Sequence, residues 1–210
     1  MQSLNQLLEQ TETALLIVDV QNDYCDKNGA IARAGFDVSG VDAMMPNLHS
    51  LLEAAHACEM PVVLVQTSHD RSTDSPAWRD RAGGKMKEVC RPGTWGSLFY
   101  QIVPAPQDIV ITKSRYSAFV NTKLDLVLRA LEIKTLIIAG VATNVCVEST
   151  ARDACMLDYR VVLANDACAS FSTSAHYMAV NNIENYFGRS AGVLDIISAM
   201  RSVVGLAISR

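Results

Sequence analysis

An acid, an ammonium and a thiol stand in this chain where a parallel sheet would gather them. Asp19 follows the apolar run Ala14-Leu15-Leu16-Ile17-Val18, and Lys113 stands just past Ile109-Val110-Ile111. After Leu136-Ile137-Ile138-Ala139 comes Gly140-Val141-Ala142-Thr143-Asn144-Val145-Cys146, and Gln66 and Thr67 end the run that starts at Val62. Brought to one sheet edge, these residues make a set suited to nucleophilic catalysis, with Cys146 as nucleophile and Asp19 as base. Cys146 is better placed than Cys25, Cys58, Cys90, Cys155 or Cys168, because a glycine-bearing loop turns into a helix there. The helix N-terminus and the Lys113 ammonium would then favour thiolate over thiol. His49, His56 and His176 lie on helical stretches away from the strand ends, so only His69 competes with Asp19 as base. The simpler readings are a turn-capping Asp19 and a solvated Lys113.

The elements that would position these groups follow from the apolar pattern. Five short runs (14–18, 62–65, 109–111, 136–139 and 161–164) show no alternation with polar residues, as expected of strands buried on both faces. Between them lie helix-period stretches, at about Asp42 to Glu59, Leu124 to Leu131, Val145 to Leu157, Tyr177 to Phe187 and Leu194 to Val204. Alternating strands and helices predict an α/β fold, doubly wound, with helices on both faces of a parallel sheet. Residues 67–99 break the rhythm with Ser75-Pro76, Ala82-Gly83-Gly84-Lys85 and Arg91-Pro92-Gly93. A long polar loop beyond a strand's carboxyl end is expected to wall an active site.

Composition narrows the function classes. At 210 residues, with 50% hydrophobic and 19% charged side chains, the chain reads as one domain over 1–210, with 1–12 as an N-terminal extension. A net charge of −4 leaves no basic field for nucleic acid. No apolar run approaches the roughly 20 residues that cross a bilayer, and no leader is visible, so the cytoplasm is the expected location. The six cysteines then read as free thiols. Gly83-Gly84-Lys85-Met86 lacks the rest of a phosphate-binding loop, and neither a dinucleotide fingerprint nor a serine-hydrolase elbow occurs. Zinc-type spacing and a paired-histidine metal motif are missing as well. No cofactor and no metal are expected.

Three stretches carry a family resemblance: Leu15-Leu16-Ile17-Val18-Asp19-Val20-Gln21-Asn22-Asp23-Tyr24, then Lys113, then Gly140 to Val147. In this order they resemble the signatures of the isochorismatase-like cysteine hydrolases, over about Thr13 to Ile197. Arg115-Tyr116-Ser117-Ala118-Phe119 and Val141 to Thr150 are most similar to the ureidoacrylate amidohydrolases of that family. The resemblance implies six parallel strands, a catalytic set of Asp19, Lys113 and Cys146, and a hydrolysed C–N bond. It also implies an oxyanion site on the backbone N–H groups of Ala142 and Cys146, and a cis peptide bond between Val141 and Ala142. The expected partner is a small amide or ureido compound; biuret, an N-carbamoyl amino acid or nicotinamide are the alternatives. A non-catalytic binding protein is the rival reading. Two departures stand out: the metal-binding Asp-x-His of nicotinamidases is absent at Gln66 to Arg71, and Thr67 and His69 replace an Asn and a Trp of the ureidoacrylate enzymes. Tyr24, Gln66, His69, Trp95 and Tyr116 are the candidate substrate-binding residues, with Arg71 and Arg91 as candidate carboxylate clamps and Asn22 or Gln66 alternatively as struts. A homodimer or tetramer is also expected, with Met44, Met45 and the apolar carboxyl tail as contact surface.

Overall fold

The computed structural model describes residues 3–8, 12–81 and 87–208, with side chains as far as residue 202. Gly83-Gly84-Lys85-Met86, parts of the N-terminal extension and the side chains of the carboxyl tail lie outside the described residues. Six strands form one parallel sheet: β1 (Thr13–Val18), β2 (Val62–Thr67), β3 (Ile109–Lys113), β4 (Thr135–Val141), β5 (Arg160–Ala169) and β6 (Arg189–Ala191). The longer helices are α1 (Ser39–Ala57), α2 (Leu124–Ala130), α3 (Glu148–Met156), α4 (Thr173–Asn182) and α5 (Val193–Ile208). The sheet is thus the doubly wound α/β arrangement that the sequence pattern predicts. β6, only three residues long, matches none of the apolar runs.

Successive strand residues point to opposite faces, and both faces are covered. Leu15, Ile17, Leu64 and Ile137 pack with Met44, Leu48 and Leu51 of α1 and with Ile196 and Met200 of α5. On the other face Leu16, Val18, Val63, Val65 and Ile138 pack with Leu124 and Leu128 of α2 and with Ala151 and Ala154 of α3. Each fully buried aliphatic side chain contributes about 1.5–3 kcal/mol, so the interior positions of β1 and β4 accept little but hydrocarbon. Met44 and Met45 are buried within this core, so they offer no surface to a second copy.

The strand order is β3-β2-β1-β4-β5-β6. The order in which strands are added across the sheet therefore reverses between the parallel neighbours β1 and β4, and a crevice opens beyond their carboxyl ends, where open α/β sheets bind ligands. Asp19 leaves β1 into this crevice with φ +54°, a left-handed conformation uncommon outside glycine and asparagine-like residues. Gly140, near the end of β4, has φ +120°, and a Cβ there would stand 2.1 Å from the carbonyl oxygen of Val18. Only glycine lets β4 approach β1 this closely. The chain then passes through a cis peptide bond between Val141 and Ala142.

Candidate active site

Asp19, Lys113 and Cys146 meet at the floor of the crevice. Lys113 Nζ lies 2.6 Å from Asp19 Oδ2, and both side chains are almost wholly buried. The ammonium also donates to Thr67 Oγ1 at 2.7 Å and to the carbonyl oxygen of Arg115 at 3.0 Å. The Cys146 sulfur lies close enough to the pair for both Asp19 and Lys113 to act on its charge. Asp19 Oδ2 accepts no hydrogen bond of regular geometry despite its ion pair, so a lone pair remains for the thiol proton.

The protonation of Cys146 differs from the expectation. Burial pushes its thiol well up, and Asp19 adds to the rise, while the Lys113 ammonium only partly opposes them. Burial therefore works against the thiolate at rest. The backbone also departs from the expected helix start: residues Thr143–Val147 form a π-helical turn, and α3 starts only afterwards, at Glu148. π-turns inside helices recur at functional sites. Burial also pulls the Lys113 ammonium down, but Asp19 and Cys146 more than offset it and its pKa ends above the ordinary value. The pocket floor thus keeps a cation beside the Cys146 sulfur.

Polar struts hold this arrangement. Thr67 Oγ1 donates to Asp19 Oδ1 at 2.9 Å, completing a ring with Lys113. Gln21 fixes Thr67 from both sides, accepting from its N–H at 2.7 Å and donating to its carbonyl at 3.0 Å. The buried Asp23 carboxylate accepts from the N–H groups of Ala30 at 2.9 Å and Cys90 at 2.7 Å, tying two loops to the crevice. Thr150 donates to the carbonyl of Cys146 at 2.7 Å and accepts from the N–H of Ala118 at 3.0 Å. Thr150 thus links the turn that carries Cys146 to the loop that carries Tyr116.

Above the floor is a cavity of about 180 Å³. It is smaller than the roughly 300–1,000 Å³ typical of sites for drug-sized ligands. Tyr24, Thr67, His69, Lys113, Tyr116, Ala142 and Cys146 line it, joined by Trp78, Arg81 and Arg115. Among the expected residues, Gln66 and Trp95 do not line it. Gln66 donates instead to Thr112 Oγ1 on β3, and Trp95, half exposed, offers only its backbone carbonyl to Asn22 Nδ2. Arg91 is taken up by Asp74 at 2.7 Å and by the carbonyl of His69, and Arg71 lies in a separate outer depression. Trp78, Arg81 and Arg115 are the residues that sequence reasoning missed. Ser75-Pro76 was the available signal: Ser75 caps the N–H of Trp78, and Pro76 opens the short helix Pro76–Asp80.

His69 is not paired with Cys146. Burial first, then the neighbouring Arg81, push its pKa down to about 4, against the pull of Asp74. Its ring stands 6.0 Å from Trp78, and its Nδ1 is 3.6 Å from Asp74 Oδ1. Among the described residues no three His, Cys, Asp or Glu side chains converge as a metal-ligand set, and no helix is long and apolar enough to cross a membrane.

This geometry has known counterparts. Residues 13–193 match the isochorismatase domain. The chain belongs to the isochorismatase family. Its sequence is 37% identical over 204 residues to ureidoacrylate amidohydrolase RutB of Agrobacterium fabrum, covering 90% of each chain. Among solved structures it resembles a cysteine hydrolase from Pseudomonas syringae pv. phaseolicola, with TM-score 0.86, 25% identity and coverage of 94% and 96%. An N-carbamoylsarcosine amidase from Thermoplasma acidophilum superposes with TM-score 0.71 at 25% identity, covering 87% and 96%. This isochorismatase-family chain is an amidohydrolase, a hydrolase of carbon–nitrogen bonds outside peptides, and its substrate is a small amide-type molecule.

Proposed function

We propose that the chain, acting as one hydrolase domain, cleaves the C–N bond of a small ureido compound with Cys146 as nucleophile, and that a ureidoacrylate-like molecule is its substrate. Asp19 takes the thiol proton as sulfur attacks the carbamoyl carbon, and Lys113 holds the thiolate charge. The oxyanion rests on the N–H groups of Ala142 and Cys146. The C–N bond then breaks, and the nitrogen leaves with the proton from Asp19. Water, deprotonated by Asp19, attacks the thiocarbamate, and the proton returns to sulfur. Ammonia appears as the leaving group itself or on breakdown of the carbamic acid. These steps require no cofactor.

The observation that carries this reading is the 2.6 Å ion pair of Asp19 and Lys113 beside the buried Cys146 thiol, whose ionisation burial opposes. A base beside a thiol that does not ionise by itself has a task; a purely binding cavity has no use for one. The likeness to ureidoacrylate amidohydrolases supports the substrate class. The test is ammonia release from a panel of ureidoacrylate, biuret, an N-carbamoyl amino acid and nicotinamide. Ureidoacrylate should give the highest kcat/KM, and Cys146→Ala should abolish turnover while the protein stays folded. Turnover that survives Cys146→Ala removes the nucleophile assignment, and silence on the whole panel favours the binding protein.

Location and assembly belong to the same proposal. Six free cysteines suit a reducing compartment such as the cytoplasm. A homodimer or tetramer would use exposed apolar side chains such as Met156, Met178, Tyr186 and Leu194. Sedimentation showing only a 22.8 kDa species at micromolar concentration rejects the oligomer.

A further inference from the structure

Among the described residues none that lines the cavity is acidic, and Asp19 beneath it is paired with Lys113, yet two guanidinium groups reach it. Among the described residues neither Arg81 nor Arg115 has a carboxylate within ion-pair distance. Asp74, beside His69, is committed to Arg91. Arg115 is held by carbonyl oxygens, of Ser114 at 2.7 Å and Thr73 at 3.1 Å. Arg81 is less well satisfied. It donates to the carbonyl of Trp78 and to His69 Nε2 at 3.3 Å, and among the described residues its buried Nε has no acceptor. Its Cζ lies 3.7 Å from the Trp78 ring centre and 5.8 Å from that of Tyr116.

Aromatic faces attract a guanidinium, but they neither neutralise it nor accept in its plane. Buried N–H groups without an acceptor are rare in folded proteins, so an orphan in a ligand cavity points to a missing partner. The partner must bring negative charge and in-plane acceptor oxygens. A carboxylate has both, in the spacing that the guanidinium fork matches. His69, neutral near pH 7, places no second cation beside Arg81.

We propose that Arg81 is a specificity-determining residue and that the substrate is an anion: a small amide or ureido compound whose far end is a carboxylate, seated on Arg81 while its carbonyl carbon faces Cys146. Trp78 and Tyr116, 4.8 Å apart between ring centres, form the wall between the two ends. The proposal rests on this cavity being where Cys146 meets its substrate.

Binding without turnover separates the clamp from the chemistry. Cys146→Ala protein is titrated calorimetrically with 3-ureidopropionate and with its methyl ester, alone and combined with Arg81→Met or Arg81→Lys. With Arg81 present the acid should bind about tenfold or more tighter than the ester. Arg81→Met should bring that ratio close to one, and Arg81→Lys should leave an intermediate value. Equal affinities for acid and ester, or no binding of either, overturn the proposal. So does a ratio unchanged in an Arg81→Met protein that melts normally; if that variant does not fold, an unchanged ratio in Arg81→Lys decides in the same way. Protein that binds the acid through Arg81 while wild type releases no ammonia from it keeps the clamp and removes the ureido substrate instead.

Discussion

Thr67 Oγ1 donates to Asp19 Oδ1 at 2.9 Å while accepting from Lys113 Nζ at 2.7 Å. One hydroxyl thus serves both charges of the buried pair and fixes which carboxylate oxygen is left for the thiol. Thr67→Val keeps the shape and removes the hydroxyl. A hydrogen bond to a charged group is worth about 1.5–3 kcal/mol, so kcat/KM should fall by about 10- to 150-fold. Thr67→Ser should restore most of it. Ammonia-release kinetics, with the pH profile of kcat, provide the measurement; a Val variant with an unchanged profile assigns Thr67 to packing alone.

The Asp19 and Lys113 pair makes a second prediction, on stability. Both side chains are at most 1% exposed, so removing one charge strands the other. Asp19→Asn and Lys113→Met should each lower stability by about 3–5 kcal/mol in urea unfolding. Because a buried pair can often be replaced by hydrocarbon without loss, Asp19→Leu combined with Lys113→Met should regain much of that stability. Activity should stay absent in all three. A double variant as unstable as the sum of the singles would show that the two charges are not coupled.

How far the site was legible depends on which physical constraint placed each residue. Asp19, Lys113 and Cys146 sit at strand ends, and the order of strands in a doubly wound sheet is nearly enough to bring them together. Thr67 rather than Gln66 faces Lys113 because side chains alternate: Val63 and Val65 point into the core shared with Cys146, and Thr67 keeps their parity. That rule was available in the sequence. The π-turn under Cys146 was not, since Thr143 to Val147 carries no residue that distinguishes it from an α-helical start. Nor was the thiol's protonation, which follows from burial that only the packed structure defines. In the long loop, no periodicity says which tryptophan turns inward.

A third prediction concerns pH. His69 has its pKa pushed from 6.5 down to about 4, by burial first and by Arg81 next, with Lys113 and Arg91 adding and Asp74 opposing. Between these values the unfolded chain binds a proton that the folded chain refuses, so acidification favours unfolding. His69 therefore contributes a loss of stability that begins as pH drops below about 6.5 and is complete near 4. His69→Gln keeps an acceptor for Arg81 without titrating. The fall in Tm between these pH values should be shallower in this variant, and an identical fall would mean that His69 is not held neutral.

The final prediction separates the two tryptophans of the chain. Trp78 lies 4.8 Å from Tyr116 between ring centres and carries Arg81 on its face at 3.7 Å, so its removal opens the cavity and frees the guanidinium. Trp95 is 49% exposed and outside the cavity. Among the described residues it is tied to the site's struts through its carbonyl, which accepts from Asn22 Nδ2 at 2.8 Å and survives any side-chain change. Trp78→Ala should raise KM, with a loss of about 0.5–1.5 kcal/mol per aromatic contact, roughly two- to tenfold in kcat/KM for each. Trp95→Ala should stay within about twofold of wild type, as exposed positions usually do. Tyr116→Phe removes only a hydroxyl and should fall between them. Steady-state kinetics on the best substrate of the ammonia panel rank the three, and a Trp95 effect larger than that of Trp78 would place the wall of the cavity on the other side of the loop.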